Sequence, residues 1–193
     1  MYIFKYMFSQ DWTIYLKESI KKSFEKPPNG PITCLEIGSF EGKGSLIIQE
    51  LLCYHRDSRL YCIDPWEDAY VSNDKRFSEI DHLFIGQYDT FLKNTKDIPN
   101  IFPLRGKSDD MIQNIPCEID FAYIDGDHSP EQVYKDGINV LKKMKSGGVI
   151  VFDDYLWEHN GVKCKDGVDR FLNENTHRYD MIHSDYHVII RIK

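Results

Sequence analysis

Two short apolar runs in this chain end in clustered acids. Phe121-Ala-Tyr-Ile124 leads into Asp125-Gly126-Asp127-His128, and Val149-Ile-Val-Phe152 leads into Asp153-Asp154-Tyr155. Runs of that length read as strands, the second continuous enough to be buried on both faces of a sheet. Adjacent strands lie about 4.8 Å apart, so carboxylates at matching ends converge. Left uncompensated, Asp125, Asp153 and Asp154 would repel one another and force a proton onto one of them, unless a divalent cation sat among them. Hard oxygen ligands favour Mg2+, Mn2+ or Ca2+ over zinc. The plainer reading is a set of solvated loop acids, with Asp127 turning the chain.

A second constellation follows the run Ile32 to Ile37, in Leu35-Glu36-Ile37-Gly38-Ser39-Phe40-Glu41-Gly42-Lys43-Gly44-Ser45. Glycines here let the backbone turn sharply and approach a ligand, and the next helix offers free N–H groups. The spacing fits neither the GxGxxG of a dinucleotide site nor a P-loop. Glu36 would repel a pyrophosphate but suits a ligand carrying both an ammonium and a carboxylate, of which S-adenosylmethionine is one. An ordinary strand-to-helix turn is the alternative. Asp64, directly after Leu60 to Ile63, stands where a carboxylate can accept both hydroxyls of a ribose. Ser108, in Arg105-Gly-Lys-Ser108, could bring a small hydroxyl near an adenine, although on these residues alone a plain loop is the favoured reading.

The elements that must hold these residues alternate. Trp12, Tyr15, Leu16, Ser19, Ile20 and Phe24 share a helical face between Asp11 and the breaker Pro27-Pro-Asn-Gly-Pro31. Strand 32–37, helix 45–54 and strand 60–63 make a parallel crossover. Apolar residues from Phe77 to Leu92 recur at helical spacing before strand 101–104. Ser129-Pro130-Glu131-Gln132 reads as a capping box opening a helix to about Met144, and Gly147-Gly148 ends the turn before strand 149–152. A short helix spans 168–172. The runs 179–183 and 188–192 are too close for a crossover and must pair as a hairpin. This predicts a Rossmann-like, doubly wound α/β sheet of about seven strands with an antiparallel C-terminal hairpin. It forms a single domain over residues 1–193, with residues 1–30 as a helical extension. Ligands in such sheets bind beyond the carboxyl ends of the strands.

Composition narrows the function. The 193 residues carry 31 Asp+Glu against 24 Lys+Arg, a formal net charge of -7. No basic face for a phosphate backbone is expected, so nucleic acid is not an expected partner. No apolar stretch approaches the ~20 residues of a membrane helix, and the start has no secretory pattern, so a cytoplasmic protein without a membrane partner is expected. The five cysteines lack a CxxC and read as reduced core thiols. His183-x-x-x-His187 straddles a hairpin turn without cysteine partners and makes a poor zinc site.

In order and spacing these segments resemble the class I S-adenosylmethionine-dependent methyltransferases, most closely the small cephalosporin-hydroxylase-like and macrocin-type metal-dependent O-methyltransferases. The resemblance runs from Leu35 to Ser45 through Asp64, Ile124 to His128, Gly147 to Tyr155 and Val168 to Leu172, to His183 to Arg191. It implies the class I methyltransferase fold. It also implies that Glu36, Gly38 and Ser39 surround the methionine part of S-adenosylmethionine and that Asp64 holds the ribose; Gly42, Ser108 and Asp125 are the further residues expected at the cofactor. Asp125, Asp153 and Asp154 match the metal ligands, with Mg2+ or another divalent cation as the second cofactor. Catechol-type relatives place a proton-removing lysine where this chain has His128, which leaves His128 and Asp125 as alternative bases.

The reaction expected is in-line methyl transfer to a hydroxyl of a small molecule or a sugar or glycan intermediate. Selectivity would come from the 65–74 and 155–166 loops, including Tyr70, Trp157 and His159. Two rivals use the same architecture: a cofactor-binding protein without turnover, and a nicotinamide oxidoreductase, against which the chain has no Tyr-x-x-x-Lys. The Trp12 face offers a possible homo-oligomer interface. Five acids at one site would account for most of the net negative charge.

Overall fold

The structure is a computed structural model, described here for residues 8, 13, 15–26, 28–66 and 85–193. Its centre is a seven-stranded sheet of order β3-β2-β1-β4-β5-β9-β8. The strands are β1 (Thr33–Ile37), β2 (Arg59–Asp64), β3 (Ile101–Arg105), β4 (Ile119–Ile124), β5 (Met144–Phe152), β8 (Tyr179–Ser184) and β9 (Val188–Ile192). The first five are parallel, and β9 runs antiparallel to both β5 and β8. The order reverses between β1 and β4, the switch point where a doubly wound sheet opens a crevice. A separate two-stranded ribbon, β6 (Glu158–His159) with β7 (Val162–Lys163), rises from the chain after β5.

Strand alternation sorts the core into two layers. Leu35, Ile37, Ala122, Ile124, Ile150 and Phe152 face one side, under α4 (Ser108–Met111), α5 (Pro130–Leu141) and α6 (Cys164–Glu174). Cys34, Cys62, Phe121, Tyr123, Val149, Val151 and Ile189 face the other, under α1 (Leu16–Ser23), α2 (Lys43–Leu51) and α3 (Gln87–Thr95). Both faces are covered, which is why the central strands read as continuous apolar runs.

Several local expectations are corrected. Ser129 is the N-cap of α5 and Pro130 opens it, but no capping box forms: the Gln132 amide donates instead to Ser108 Oγ at 3.2 Å and Asp136 Oδ1 at 3.0 Å. Gly147 and Gly148 lie inside β5, which bulges between its pairings at Met144 and Val149. The helix before β8 is longer than 168–172, because Cys164 and Gly167 also bury against the core. On α1 the buried residues are Leu16, Ser19, Ile20 and Ser23, while Tyr15 is exposed and Phe24 follows the helix. Asp11, Trp12, Tyr70 and the helical residues expected from Phe77 to Phe84 lie outside the described residues. All five cysteines are free thiols, four of them buried. No described helix is long and apolar enough to cross a membrane.

Candidate active site

The carboxyl end of β1 turns sharply at Gly38. Its φ of 86°, and a Cβ that would fall 1.8 Å from the Asp125 carbonyl oxygen, leave room for glycine alone. The turn follows directly on the Ile37–Ile124 pairing and lets the Asp125 backbone pass against Gly38. Gly42, at φ 87°, starts α2. Glu36 is 1% exposed and accepts a hydrogen bond from the Ser45 hydroxyl. Burial pushes its carboxyl up to about 7, against the pull of Ser45. Ser39 Oγ lies near this carboxyl, is buried, and completes no hydrogen bond among the described residues. A buried acid and an unpartnered hydroxyl beside a turn with no side chain form a cradle of the kind an amino-acid moiety would fill.

Asp64 clips two loops together. Its Oδ2 accepts the Phe40 N–H at 2.9 Å and its Oδ1 the Trp66 N–H at 2.7 Å, while the Trp66 indole donates to the Phe40 carbonyl at 2.7 Å. Phe40 and Trp66 both adopt positive φ, 45° and 42°, so the clip holds strained backbone in place. Burial raises the Asp64 carboxyl, and the backbone donors partly offset that rise. Ser108 donates to Asp136 Oδ1 at 2.6 Å, and burial lifts Asp136 to about 6. Its hydroxyl proton is therefore committed within the chain.

At the ends of β4 and β5, the structure brings Asp125, His128 and Asp154 together with one donor atom each lying within 4.8 Å of the others. His128 Nδ1 contacts the Gly126 carbonyl at 2.7 Å, and Nε2 contacts Asp154 Oδ2 at 2.7 Å. Burial alone would lower the imidazole pKa, but Asp154 outweighs it and the net shift is upward. Burial likewise acts to raise Asp154, yet His128 holds it below its ordinary value. Asp125 is raised well above the ordinary carboxylate range by burial and by the neighbouring Asp153 and Asp154. Such a set is stable when charge is shared with a proton or a cation.

Asp153 stands apart from this trio. It is 5% exposed, and its carboxylate meets the Tyr123 hydroxyl, His187 Nε2 and the Asp154 N–H, the last at 2.7 Å. Asp154 has φ 52° and accepts the Tyr186 hydroxyl at 2.5 Å. Trp157 meets the His128 ring edge-on, centroids 4.8 Å apart, and His159 stacks on Trp157 at 6.0 Å. His183 and His187 part company: the first contacts Lys22 Nζ at 2.9 Å, and the second is buried among Ser19, Tyr123 and Asp153.

Sequence reasoning missed Tyr123, Tyr186, His187 and Ser19. Strand parity carries the signal for two of them. Tyr123 lies two residues before Asp125, and the pairing of Phe152 with Val188 sets Asp153 opposite His187.

Residues 35–155 match a family model described as a methyltransferase domain. The uncharacterized protein R132 of Acanthamoeba polyphaga mimivirus is 31% identical over 165 residues, covering 80% of this chain and 65% of that protein. The Arabidopsis thaliana protein named "Putative caffeoyl-CoA O-methyltransferase" is 31% identical over 140 residues, covering 72% and 53%. The chain thus spans less than two thirds of either curated relative. Among solved structures, the O-methyltransferase NovP superposes with a TM-score of 0.69 at 19% identity, covering 92% of this chain and 78% of that one. The fold is that of the class I methyltransferases.

Proposed function

This chain belongs to the methyltransferase domain family, and on that premise we propose that it is an S-adenosylmethionine-dependent O-methyltransferase acting on a small-molecule hydroxyl. The observation that carries the proposal is the convergence of Asp125, His128 and Asp154 beside the Gly38 turn. S-adenosylmethionine would supply an electrophilic methyl group on a sulfonium. Glu36 and Ser39 would meet its amino-acid moiety, and Asp64 would meet the ribose hydroxyls. Ser108, its proton given to Asp136, can only accept from the adenine side.

Asp125 and Asp154 are the residues that would hold a divalent cation, which would lower the pKa of the attacking hydroxyl. Two carboxylates suit Mg2+, which keeps most of its shell for water and substrate oxygens. Asp153, with three hydrogen bonds already made, supports Asp154 from behind. His128 would take the acceptor's proton at Nε2, since Nδ1 is tied to the Gly126 carbonyl, once Nε2 has released the proton it shares with Asp154. S-adenosylmethionine would give its methyl group to the acceptor oxygen and keep the bonding pair on sulfur, while this chain's residues orient the acceptor and take its proton. Trp157 and His159 wall the acceptor side, where a sugar ring or an aromatic diol would lie. A cytoplasmic setting and a homo-oligomer remain part of this reading.

The test is formation of S-adenosylhomocysteine with a panel of sugar and aromatic hydroxyl acceptors, with and without excess chelator. Acceptor-dependent product that chelator suppresses supports the reading. Undiminished turnover in chelator removes the cation, and no product with any acceptor favours a binding protein.

A further inference from the structure

Ser19 and His187 lie 168 residues apart in sequence, yet Ser19 Oγ meets His187 Nδ1 at 2.5 Å, and both are buried. The other ring nitrogen meets Asp153 Oδ1. A ring nitrogen facing a carboxylate carries the proton, so in the neutral ring Nδ1 accepts from the Ser19 hydroxyl. The constellation shares its three residue types with a hydrolytic triad. Here, however, Ser19 is 4%, His187 4% and Asp153 5% exposed, and no substrate carbonyl can reach the hydroxyl. Its reach is inward. Asp153 Oδ1 also accepts the N–H of Asp154, whose φ of 52° is costly for a residue with a Cβ, and Asp153 Oδ2 accepts from Tyr123. The Tyr123 hydroxyl lies 3.4 Å from Asp125 Oδ2.

We propose that Ser19 and His187 are positioning residues through which helix α1 orients the carboxylates of the site. They hold Asp153, and Asp153 in turn fixes the left-handed turn that aims Asp154 and the hydroxyl that steers Asp125. α1 is thereby a working part of the site, although none of its residues reaches the carboxylates that would bind the cation. This rests on the cation reading of Asp125 and Asp154 for its consequence, but not for the hydrogen-bond chain itself.

The experiment compares full-length wild type with Ser19→Ala, Asp153→Asn and the double variant. Asp153→Asn keeps the size of a buried group, and Ser19→Ala removes only the hydroxyl, so both are expected to fold. Ser19 and Asp153 do not touch, so their effects on the unfolding constant multiply unless His187 links them. The expected result is a departure from multiplicativity of about fivefold or more, together with Mn2+ binding, read by electron paramagnetic resonance, weakened at least fivefold in Ser19→Ala while S-adenosylhomocysteine affinity stays within twofold. A purely structural loss would leave Mn2+ affinity in the folded variant unchanged. Independent effects on unfolding overturn the chain, and an unchanged Mn2+ affinity in Ser19→Ala overturns its positioning role. A wild type that takes up no Mn2+ refutes the positioning role and the cation reading together, and leaves the hydrogen-bond chain to the unfolding cycle.

Discussion

His128 and Asp154 form a 2.7 Å ion pair, Nε2 to Oδ2, at the point where β4 and β5 release their chains. The Gly126 carbonyl on the opposite nitrogen fixes the ring, so Nε2, which shares its proton with Asp154, is the nitrogen that must release that proton before it can take one from an acceptor. With proton removal assigned to this atom, His128→Gln should lower turnover at saturating S-adenosylmethionine by roughly a hundredfold or more. S-adenosylhomocysteine affinity should stay within twofold. Steady-state kinetics beside calorimetric titration separates the two, and a variant with wild-type turnover would move the proton to Asp125.

Glu36 couples stability to cofactor binding. Its buried carboxyl sits at about 7, above its ordinary value, so in the free protein the folded state favours the protonated form. A raised folded-state pKa stabilises below the unfolded value, and that contribution is lost as pH rises through 7. At pH well above 7 the ionised group costs roughly 3 kcal/mol. Glu36→Gln should therefore melt higher than wild type at pH 8.5 and near it at pH 5, while binding S-adenosylhomocysteine at least tenfold more weakly at pH 8.5. Wild-type affinity should rise with pH through 7 as the carboxylate forms to meet the ligand ammonium. Melting curves at the two pH values that differ equally would contradict the assignment.

Gly38 and Gly147 both have positive φ, 86° and 81°, but only Gly38 is crowded. A Cβ at 38 would meet the Asp125 carbonyl at 1.8 Å, whereas nothing lies within 4 Å of one at 147. Gly147→Ala should cost about 1 kcal/mol of backbone strain. Gly38→Ala must part β1 from β4 and should cost more than about 3 kcal/mol and abolish S-adenosylhomocysteine binding. Urea denaturation of the two variants checks the contrast.

The strand ends were legible because β1, β2, β4 and β5 are buried on both faces, which makes their apolar runs continuous and their terminal acids conspicuous. The parts that escaped depend on contacts between distant segments. Gln132 looked like the far half of a capping box, yet Ser108 and Asp136 offer its amide better partners. Asp153 looked equivalent to Asp154, and only the buried ring of His187 and hydroxyl of Tyr123 distinguish the two. The pair His183 and His187 reads as a poor shared site because a hairpin turn lies between them, but their actual partners, Lys22 for the first and Ser19 for the second, come from a distant helix. Spacing reports which face of an element a residue occupies; it does not report what another element brings to that face.

Asp154 and Asp153 should separate in cation binding. Asp154→Ala is expected to remove high-affinity Mn2+ uptake, while Asp153→Asn weakens it by a smaller factor through the loss of support. Free Mn2+ measured by electron paramagnetic resonance distinguishes them, and equal losses would put Asp153 directly in the coordination shell.

Calorimetric titration with S-adenosylhomocysteine, run beside NADH, tests the central assignment most directly. Saturable one-to-one binding of S-adenosylhomocysteine is predicted, abolished by Glu36→Gln with Asp64→Ala, with no heat from NADH. An absence of binding to S-adenosylhomocysteine, or preferential binding of NADH, would contradict it.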